Sequence, residues 1–111
     1  FDVVSSQLSL ILKNFSEQEF SNIVIAYEPV WAIGTGLTAS ASDAQQMHQH
    51  IRNLITESFN AELANNISII YGGSCKPQNA KELFSQEDID GGLIGGAALQ
   101  YESFMSIVKA F

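Results

Sequence analysis

The sequence predicts an α/β fold built on a parallel sheet, and two patterns along the chain support this prediction. Short apolar runs rich in β-branched residues alternate with longer segments whose apolar residues recur at helical spacing. No hairpin signal joins any two of the runs, so crossover helices have to connect the strands. All 111 residues are assigned to one domain, because no linker or low-complexity tract divides the chain.

The first half of the chain is predicted to hold two helices and one strand. Residues 4–15 carry the apolar stripe of an amphipathic helix, which residues 16–22 interrupt. The run at residues 23–27 is continuously apolar, as expected of a strand that is covered on both faces. Ser40 then resembles a helix N-cap, with Asp43 three residues further on, and begins a second long helix.

The second half is predicted to hold two more strands and two more helices. Residues 67–71 and residues 92–94 have the composition of buried strands. A short helix over residues 77–85 begins with Pro77, where the missing N–H does no harm, and a last helix covers residues 101–111. The prediction is therefore three parallel strands and about four helices.

Composition narrows the possible partners. With 46% hydrophobic and 15% charged residues, the chain is typical of a globular protein, and no apolar run is long enough to span a bilayer. A net charge of −7 disfavours nucleic acid and anionic membrane as partners, so a bound phosphate would be held mainly by backbone N–H groups. The single cysteine, Cys75, excludes an internal disulfide and a zinc cluster and favours an intracellular protein.

A carboxylate or a glycine-rich segment follows each predicted strand. Glu28 follows the first strand, Gly-Gly-Ser at 72–74 the second, and Gly-Gly at 95–96 the third. Ligands of parallel α/β folds bind at the carboxyl ends of the strands, so these segments are candidates for one site. Glycine lets the backbone approach a ligand closely, which allows N–H groups to bind an anion without lysine.

A different glycine-rich segment, at residues 34–39, offers a rival interpretation. It satisfies the G-x-G-x-x-G/A dinucleotide fingerprint and lies between a predicted strand and a helix. The fingerprint needs a turn directly after the strand, but residues 28–33 intervene. The next strand also does not end in the acidic residue that would bind the ribose, so a nicotinamide cofactor is not predicted.

Three segments together resemble one known family. Residues 26–36 (AYEPVWAIGTG), 70–74 (IYGGS) and 90–97 (DGGLIGGA) are similar, in order and spacing, to the catalytic strand and the last two strand–loop segments of triosephosphate isomerases. The resemblance covers essentially the whole chain and implies a TIM (β/α)8 barrel, which takes about 250 residues when complete. Residues 1–111 would then be the C-terminal portion of a single barrel domain, from about the fifth helix onward.

The resemblance implies an isomerase of glycolysis and gluconeogenesis that interconverts dihydroxyacetone phosphate and glyceraldehyde 3-phosphate through an enediolate. It makes Glu28 the general base and assigns the phosphate to the backbone N–H groups of Gly34, Ser74, Gly95 and Gly96. It implies no metal and no organic cofactor. It also implies a homodimer for the full-length protein and a cytoplasmic location.

The resemblance further implies that residues 29–39 form a lid that closes over the substrate. Ile33 and Leu93 match the apolar pair that surrounds the glutamate when the lid is shut, and a carboxylate in apolar surroundings becomes a stronger base. Leu37 stands where the family commonly has lysine. This difference is expected to affect the rate at which the lid moves and not the chemical step.

The family's electrophilic histidine, and its lysine and asparagine on the phosphate side, belong to earlier strands that these residues do not include. The 111-residue chain alone is therefore predicted to be inactive. One alternative is the phosphate-binding part of another (β/α)8 barrel enzyme. Another is a non-catalytic fragment that folds only with a partner, because a three-stranded sheet leaves two open edges.

Other ionisable side chains receive structural interpretations. His48 is expected to pack near the apolar face of its helix, and His50 to point outward. Cys75 has no histidine at a strand end to activate it as a nucleophile. The acidic side chains of residues 87–90 are expected to be solvated or to lie beside a helix.

Overall fold

The computed structural model describes residues 1–30 and 39–111, in which three short strands form one sheet. The strands are β1 (Ile25–Tyr27), β2 (Ile69–Tyr71) and β3 (Gly91–Gly92). The helices are α1 (Asp2–Asn14), α2 (Glu17–Phe20), α3 (Ala41–Ser58), α4 (Ala61–Asn66), α5 (Pro77–Phe84) and α6 (Tyr101–Val108), with a 3-10 helix at Gly96–Leu99. This order confirms the predicted alternation of helices and strands.

The sheet has the order β1-β2-β3, and both neighbouring pairs are parallel. Ile25 pairs with Ile69 across the first pair, and Ile70 pairs with Gly91 across the second. Helices α3 and α4 lie between β1 and β2 in sequence, and α5 lies between β2 and β3. All three strands therefore end at the same edge of the sheet, as in part of an α/β barrel.

The helices cover one face of the sheet and bury two apolar clusters there. One cluster joins α1, α3 and α4 to the sheet through Leu8, Phe20, Ile51, Ile55, Leu63, Ala64, Ile67 and Ile69. The other joins α5 and α6 to the end of β2 through Ala41, Ala44, Tyr71, Cys75, Ala80, Leu83, Ile89 and Ile107. These clusters fix the direction in which each strand presents the residues that follow it.

The opposite face of the sheet is open, which corrects the prediction that residues 23–27 are covered on both faces. Val24 is 61% exposed, and Ala26 is exposed beside it. Ile25 and Tyr27 alternate with them and pack against the helices. One layer of helices can cover only one face, so the second apolar face of β1 has no cover within the described residues.

Two short helices, α2 and α4, lie in segments for which no helix is predicted. Ser16 Oγ accepts a hydrogen bond from Glu19 N at 3.1 Å, and Glu19 Oε1 accepts one from Ser16 N at 3.0 Å. Asn60 Oδ1 accepts from Leu63 N at 2.8 Å. These side chains satisfy N–H groups at the helix starts, and this local capping stabilises helices too short to show an apolar period.

The predicted element boundaries differ from the observed ones by a few residues. The N-cap at Ser40 is confirmed, since its Oγ accepts from Asp43 N at 3.0 Å. Strand β3 is Gly91–Gly92 instead of residues 92–94, because its pairing with β2 begins one residue earlier. Among the described helices, none combines the length and the apolar character that a bilayer span requires.

An ion-pair network before β3 corrects the interpretation of Asp88 as a solvated or helix-adjacent charge, whereas Glu87 is exposed as expected. Arg52 Nε donates to Asp88 Oδ1 at 2.8 Å, and Arg52 Nη2 donates to Asp90 Oδ2 at 2.8 Å. Asp88 is only 8% exposed, and it also accepts from the Gln45 amide at 2.6 Å. Asp90 Oδ2 accepts in addition from Ile69 N at the start of β2. The network therefore ties α3 to the amino-terminal ends of two strands.

His48 is fully buried, which confirms its predicted packing role. Its Nδ1 lies 3.1 Å from the carbonyl oxygen of Asp88, so Nδ1 carries the proton, and Tyr27 and Tyr71 lie beside the ring. Burial lowers the pKa of His48 below its ordinary value of 6.5, and the positive charge of Arg52 acts in the same direction, while the Asp88 carbonyl opposes them. His50, by contrast, is half-buried and its Nε2 lies 2.7 Å from Ser5 Oγ.

The lowered pKa of His48 predicts a stability that depends on pH. As the pH falls below about 6.5, the unfolded chain takes up a proton at His48 while the folded chain does not. The contribution of neutral His48 to the free energy of unfolding is therefore fully present above that pH and is lost as the pH falls through the folded pKa. Urea denaturation at several pH values measures this loss. A His48→Phe substitution should flatten the profile, and an unchanged slope in this variant would contradict the assignment.

Candidate functional site

A cavity of about 660 Å³ opens at the carboxyl ends of the three strands. Four of the predicted site residues line it: Glu28 after β1, Ser74 after β2, and Gly95 and Gly96 after β3. The fifth, Gly34, lies outside the described residues. The structure thus brings one carboxylate and two glycine-rich segments, which are far apart in sequence, to one place.

Main-chain hydrogen bonds that continue past the strands set the spacing of these segments. Gly72 N donates to the carbonyl of Tyr27 at 2.7 Å, directly before Glu28. Leu93 N donates to the carbonyl of Tyr71 at 2.9 Å, directly before the glycine turn. A side chain at Gly72 would lie 3.2 Å from the Tyr27 carbonyl oxygen, so glycine permits this close approach.

The cavity offers backbone donors to a ligand. Within residues 1–30 and 39–111, no protein acceptor bonds the N–H groups of Ser74, Gly95 or Gly96. A Cβ atom at Gly95 or Gly96 would meet nothing within 4 Å, so the space beside both Cα atoms is open. Glu28 and Lys76 are the charged residues among those described that line the cavity, so an anion here would be bound largely by main-chain dipoles.

The Tyr71 ring lies against the loop formed by residues 72–74, a role that the sequence did not indicate. A Cβ atom on Gly73 would overlap the hydroxyl end of the Tyr71 ring, so only glycine fits above it. Tyr71 is 1% exposed, and burial raises the pKa of its phenol, with smaller contributions from Tyr27 and Cys75. The ring is therefore a fixed neutral support beneath residues 72–74.

Cys75 lies beside the cavity but is not arranged as a nucleophile. The residue is 6% exposed, and burial raises the pKa of its thiol. A raised pKa lowers the thiolate fraction at neutral pH, which is the opposite of what nucleophilic catalysis requires. The packing interpretation of Cys75 is therefore supported.

Most of the predicted lid, residues 29–39, lies outside the described residues. Residues 31–38, which include Ile33 and Leu37, lie outside the described residues. On either side of them, Pro29 is buried and Ala39 lines the cavity. Leu93, predicted as the other apolar neighbour of the glutamate, is 59% exposed in this chain.

Asn79 is the second residue that sequence reasoning missed at this site. It occupies the third position of α5, and its side chain bonds the main chain of residues 74–76 on the rim of the cavity. A signal was available, because an amide or carboxylate three residues after an N-cap is one half of a capping box. In the described parts of the chain, no group of three or more His, Cys, Asp or Glu side chains has the arrangement of a metal site.

Comparison with known proteins gives consistent matches. The profile of the triosephosphate isomerase family matches residues 1–111. A triosephosphate isomerase of Phocaeicola vulgatus is 56% identical over 110 residues, which make up 99% of this chain and 43% of that protein. The triosephosphate isomerase of Bacteroides fragilis gives the same values. That of Porphyromonas gingivalis is 53% identical over 111 residues, covering 100% of this chain and 44% of the relative. The chain thus spans less than half the length of these curated relatives.

Proposed function

We propose an isomerase function for this chain, which belongs to the triosephosphate isomerase family. The complete enzyme interconverts dihydroxyacetone phosphate and glyceraldehyde 3-phosphate, and residues 1–111 contribute its general base and part of its phosphate site. These residues are the C-terminal portion of one barrel domain. The observation that carries the proposal is the convergence on one cavity of Glu28 with the N–H groups of Ser74, Gly95 and Gly96, which bond no acceptor among the described residues.

Glu28 performs the proton transfer. Its carboxylate removes a proton from C1 of dihydroxyacetone phosphate, and the electron pair of the broken C–H bond enters the enediolate. The carboxylic acid then returns the proton to C2, while the proton of the C1 hydroxyl passes to the oxygen on C2. No electron enters or leaves the substrate, so the family's cofactor-free mechanism suffices. In support, Glu28 is exposed and lines the cavity, while Pro29, its neighbour in sequence, is buried.

The phosphate group binds in the same cavity. The N–H groups of Ser74, Gly95 and Gly96 donate to its oxygens, with Gly34 as a fourth donor. Oriented dipoles of this kind bind a dianion without a cluster of basic side chains, which suits a chain with a net charge of −7. Binding the phosphate fixes the position of the two carbons relative to Glu28.

The remaining strands of the complete enzyme supply the catalytic and phosphate-side groups that residues 1–111 do not contain. The resemblance assigns the electrophilic histidine and the lysine and asparagine of the phosphate side to the earlier strands of the barrel. The open face of the sheet, with Val24 and Leu93 exposed, suits packing against those strands. The complete protein is a homodimer that acts in glycolysis and gluconeogenesis in the cytoplasm.

A full-length barrel with this chain in place of the 110 matching residues of the Bacteroides fragilis relative, hereafter the grafted barrel, tests the proposal. It should turn over triose phosphates, whereas the 111-residue chain alone should not. Both are measured in a coupled assay with glyceraldehyde 3-phosphate.

Two results would contradict these expectations. A folded grafted barrel that acts on another phosphate ester but not on triose phosphates would favour a different (β/α)8 barrel enzyme. Activity of the isolated chain at the level of the grafted barrel would show that the missing strands are not required.

A further inference from the structure

We propose that Asn79 is a positioning residue that holds the N–H group of Ser74 in the orientation that binds phosphate. The inference rests on the proposed function, because it takes a phosphate group as the ligand of this loop. Asn79 is half-buried on α5 and acts through the main chain of its neighbours.

The side chain of Asn79 ties down both ends of a three-residue turn. Its Nδ2 donates to the carbonyl oxygen of Ser74 at 3.0 Å, and its Oδ1 accepts from Lys76 N at 2.7 Å. Its own N–H donates to the Lys76 carbonyl at 3.1 Å, which places Asn79 firmly in the first turn of α5. Ala80, the next residue, is fully buried in the core, so α5 is held in place and the Asn79 amide has a fixed point of attachment.

The other end of the loop is also fixed. Gly72 N is bonded to the Tyr27 carbonyl at 2.7 Å, and Gly73 lies directly over the Tyr71 ring. The peptide that carries the Ser74 N–H therefore lies between the bonded N–H of Gly72 and the bonded carbonyl of Ser74, with Gly73 as the flexible residue between them. Without the bond from Asn79 to the Ser74 carbonyl, glycine at 73 would let this peptide rotate at little cost.

Orientation matters here because Ser74 is exposed and its N–H bonds no acceptor within the described residues. A donor that already points at the ligand binds more tightly than one that must first be ordered. The bond from Oδ1 to Lys76 N is ordinary helix capping, whereas the bond from Nδ2 to Ser74 has no role in the helix. These two bonds can be separated by substitution.

The experiment measures phosphate binding and stability in the grafted barrel. In Asn79→Ala both bonds are lost, and the Kd of inorganic phosphate and the KM for glyceraldehyde 3-phosphate should each rise about tenfold, as expected for one well-formed contact to a charged group, with kcat within about threefold. In Asn79→Asp the capping acceptor remains and the donor to Ser74 is lost. Its second carboxylate oxygen faces the Ser74 carbonyl and adds a negative charge beside the loop, so this variant should bind phosphate more weakly than Asn79→Ala. Isothermal titration calorimetry and thermal denaturation give the two readouts.

Asn60→Ala is the matched control, because Asn60 caps α4 through Leu63 N but lies away from the cavity. It should lower the Tm and leave the phosphate Kd unchanged. A phosphate Kd in Asn79→Ala within twofold of the parent, or no phosphate binding by the parent, would overturn the inference. Phosphate binding that depends on Asn79 in a barrel without isomerase activity would support the inference and count against the proposed function alone.

Discussion

Replacing Glu28 with Gln in the grafted barrel should lower kcat for triose phosphates by about 10²- to 10⁴-fold, the range expected for loss of a general base. The amide has nearly the shape of the carboxylate but cannot accept the substrate proton. Glu28 is exposed at the end of β1, so the substitution leaves no buried polar group unpaired. The loss should therefore appear in catalysis and not in folding.

Phosphate binding provides the test of selectivity for this variant. The proposed donors are backbone N–H groups, those of Gly34, Ser74, Gly95 and Gly96, and none of these residues is substituted in Glu28→Gln. The Kd of inorganic phosphate should stay within about twofold, and slightly tighter binding is the expected direction because a negative charge is removed.

Glu57→Gln is the matched control, because Glu57 is an exposed glutamate on α3 outside the cavity lining. It makes the same chemical change and should retain full turnover. Near-normal kcat in Glu28→Gln would remove Glu28 as the base. A loss of phosphate binding equal to the loss of turnover would show that the variant damages the loop instead.

The position of the site could be predicted from sequence because it follows from topology. Parallel strands all end at one edge, so Glu28, Ser74 and Gly95 had to meet once the strands were recognised. The apolar runs identified those strands within a few residues. The face of β1 left open could not be predicted from composition, since Ala26 and Ile25 are both apolar but lie on opposite sides.

Side-chain contacts between distant residues were the part that sequence reasoning missed. Arg52 and Asp88 are 36 positions apart, and no local pattern distinguishes a buried aspartate from a solvated one. Asn79 differs, since its capping position in α5 gives a local signal and only its bond to the Ser74 carbonyl depends on how the loop turns back over the helix. Such contacts depend on geometry that periodicity does not encode.

The ion-pair network and the cavity lie at opposite ends of the strands. Asp90 bonds the first residue of β2, whereas Glu28 and Ser74 follow the last residues of β1 and β2. Substitutions in the network should therefore change stability and leave the geometry of the cavity intact in molecules that remain folded.

Arg52→Ala should destabilise the grafted barrel by about 3–5 kcal/mol, the usual cost of removing one partner of a buried ion pair. The side chains of Arg52 and Asp88 are each 12% exposed, so the unpaired Asp88 carboxylate of the variant would have little access to water. The guanidinium also donates to the carbonyls of Ala64 in α4 and of Ile67, the residue that follows α4. Urea denaturation followed by circular dichroism gives the unfolding free energy.

A double variant identifies the source of that loss. If an unpaired Asp88 carboxylate dominates, Arg52→Ala combined with Asp88→Asn should lose less stability than the two single variants added together, because the neutral amide is cheaper to bury. Lys81→Ala, which removes an exposed cation from α5, is the control and should change the unfolding free energy by no more than about 0.5 kcal/mol. Strict additivity of the two single losses would show that Arg52 acts mainly through the carbonyls before β2 and not through Asp88.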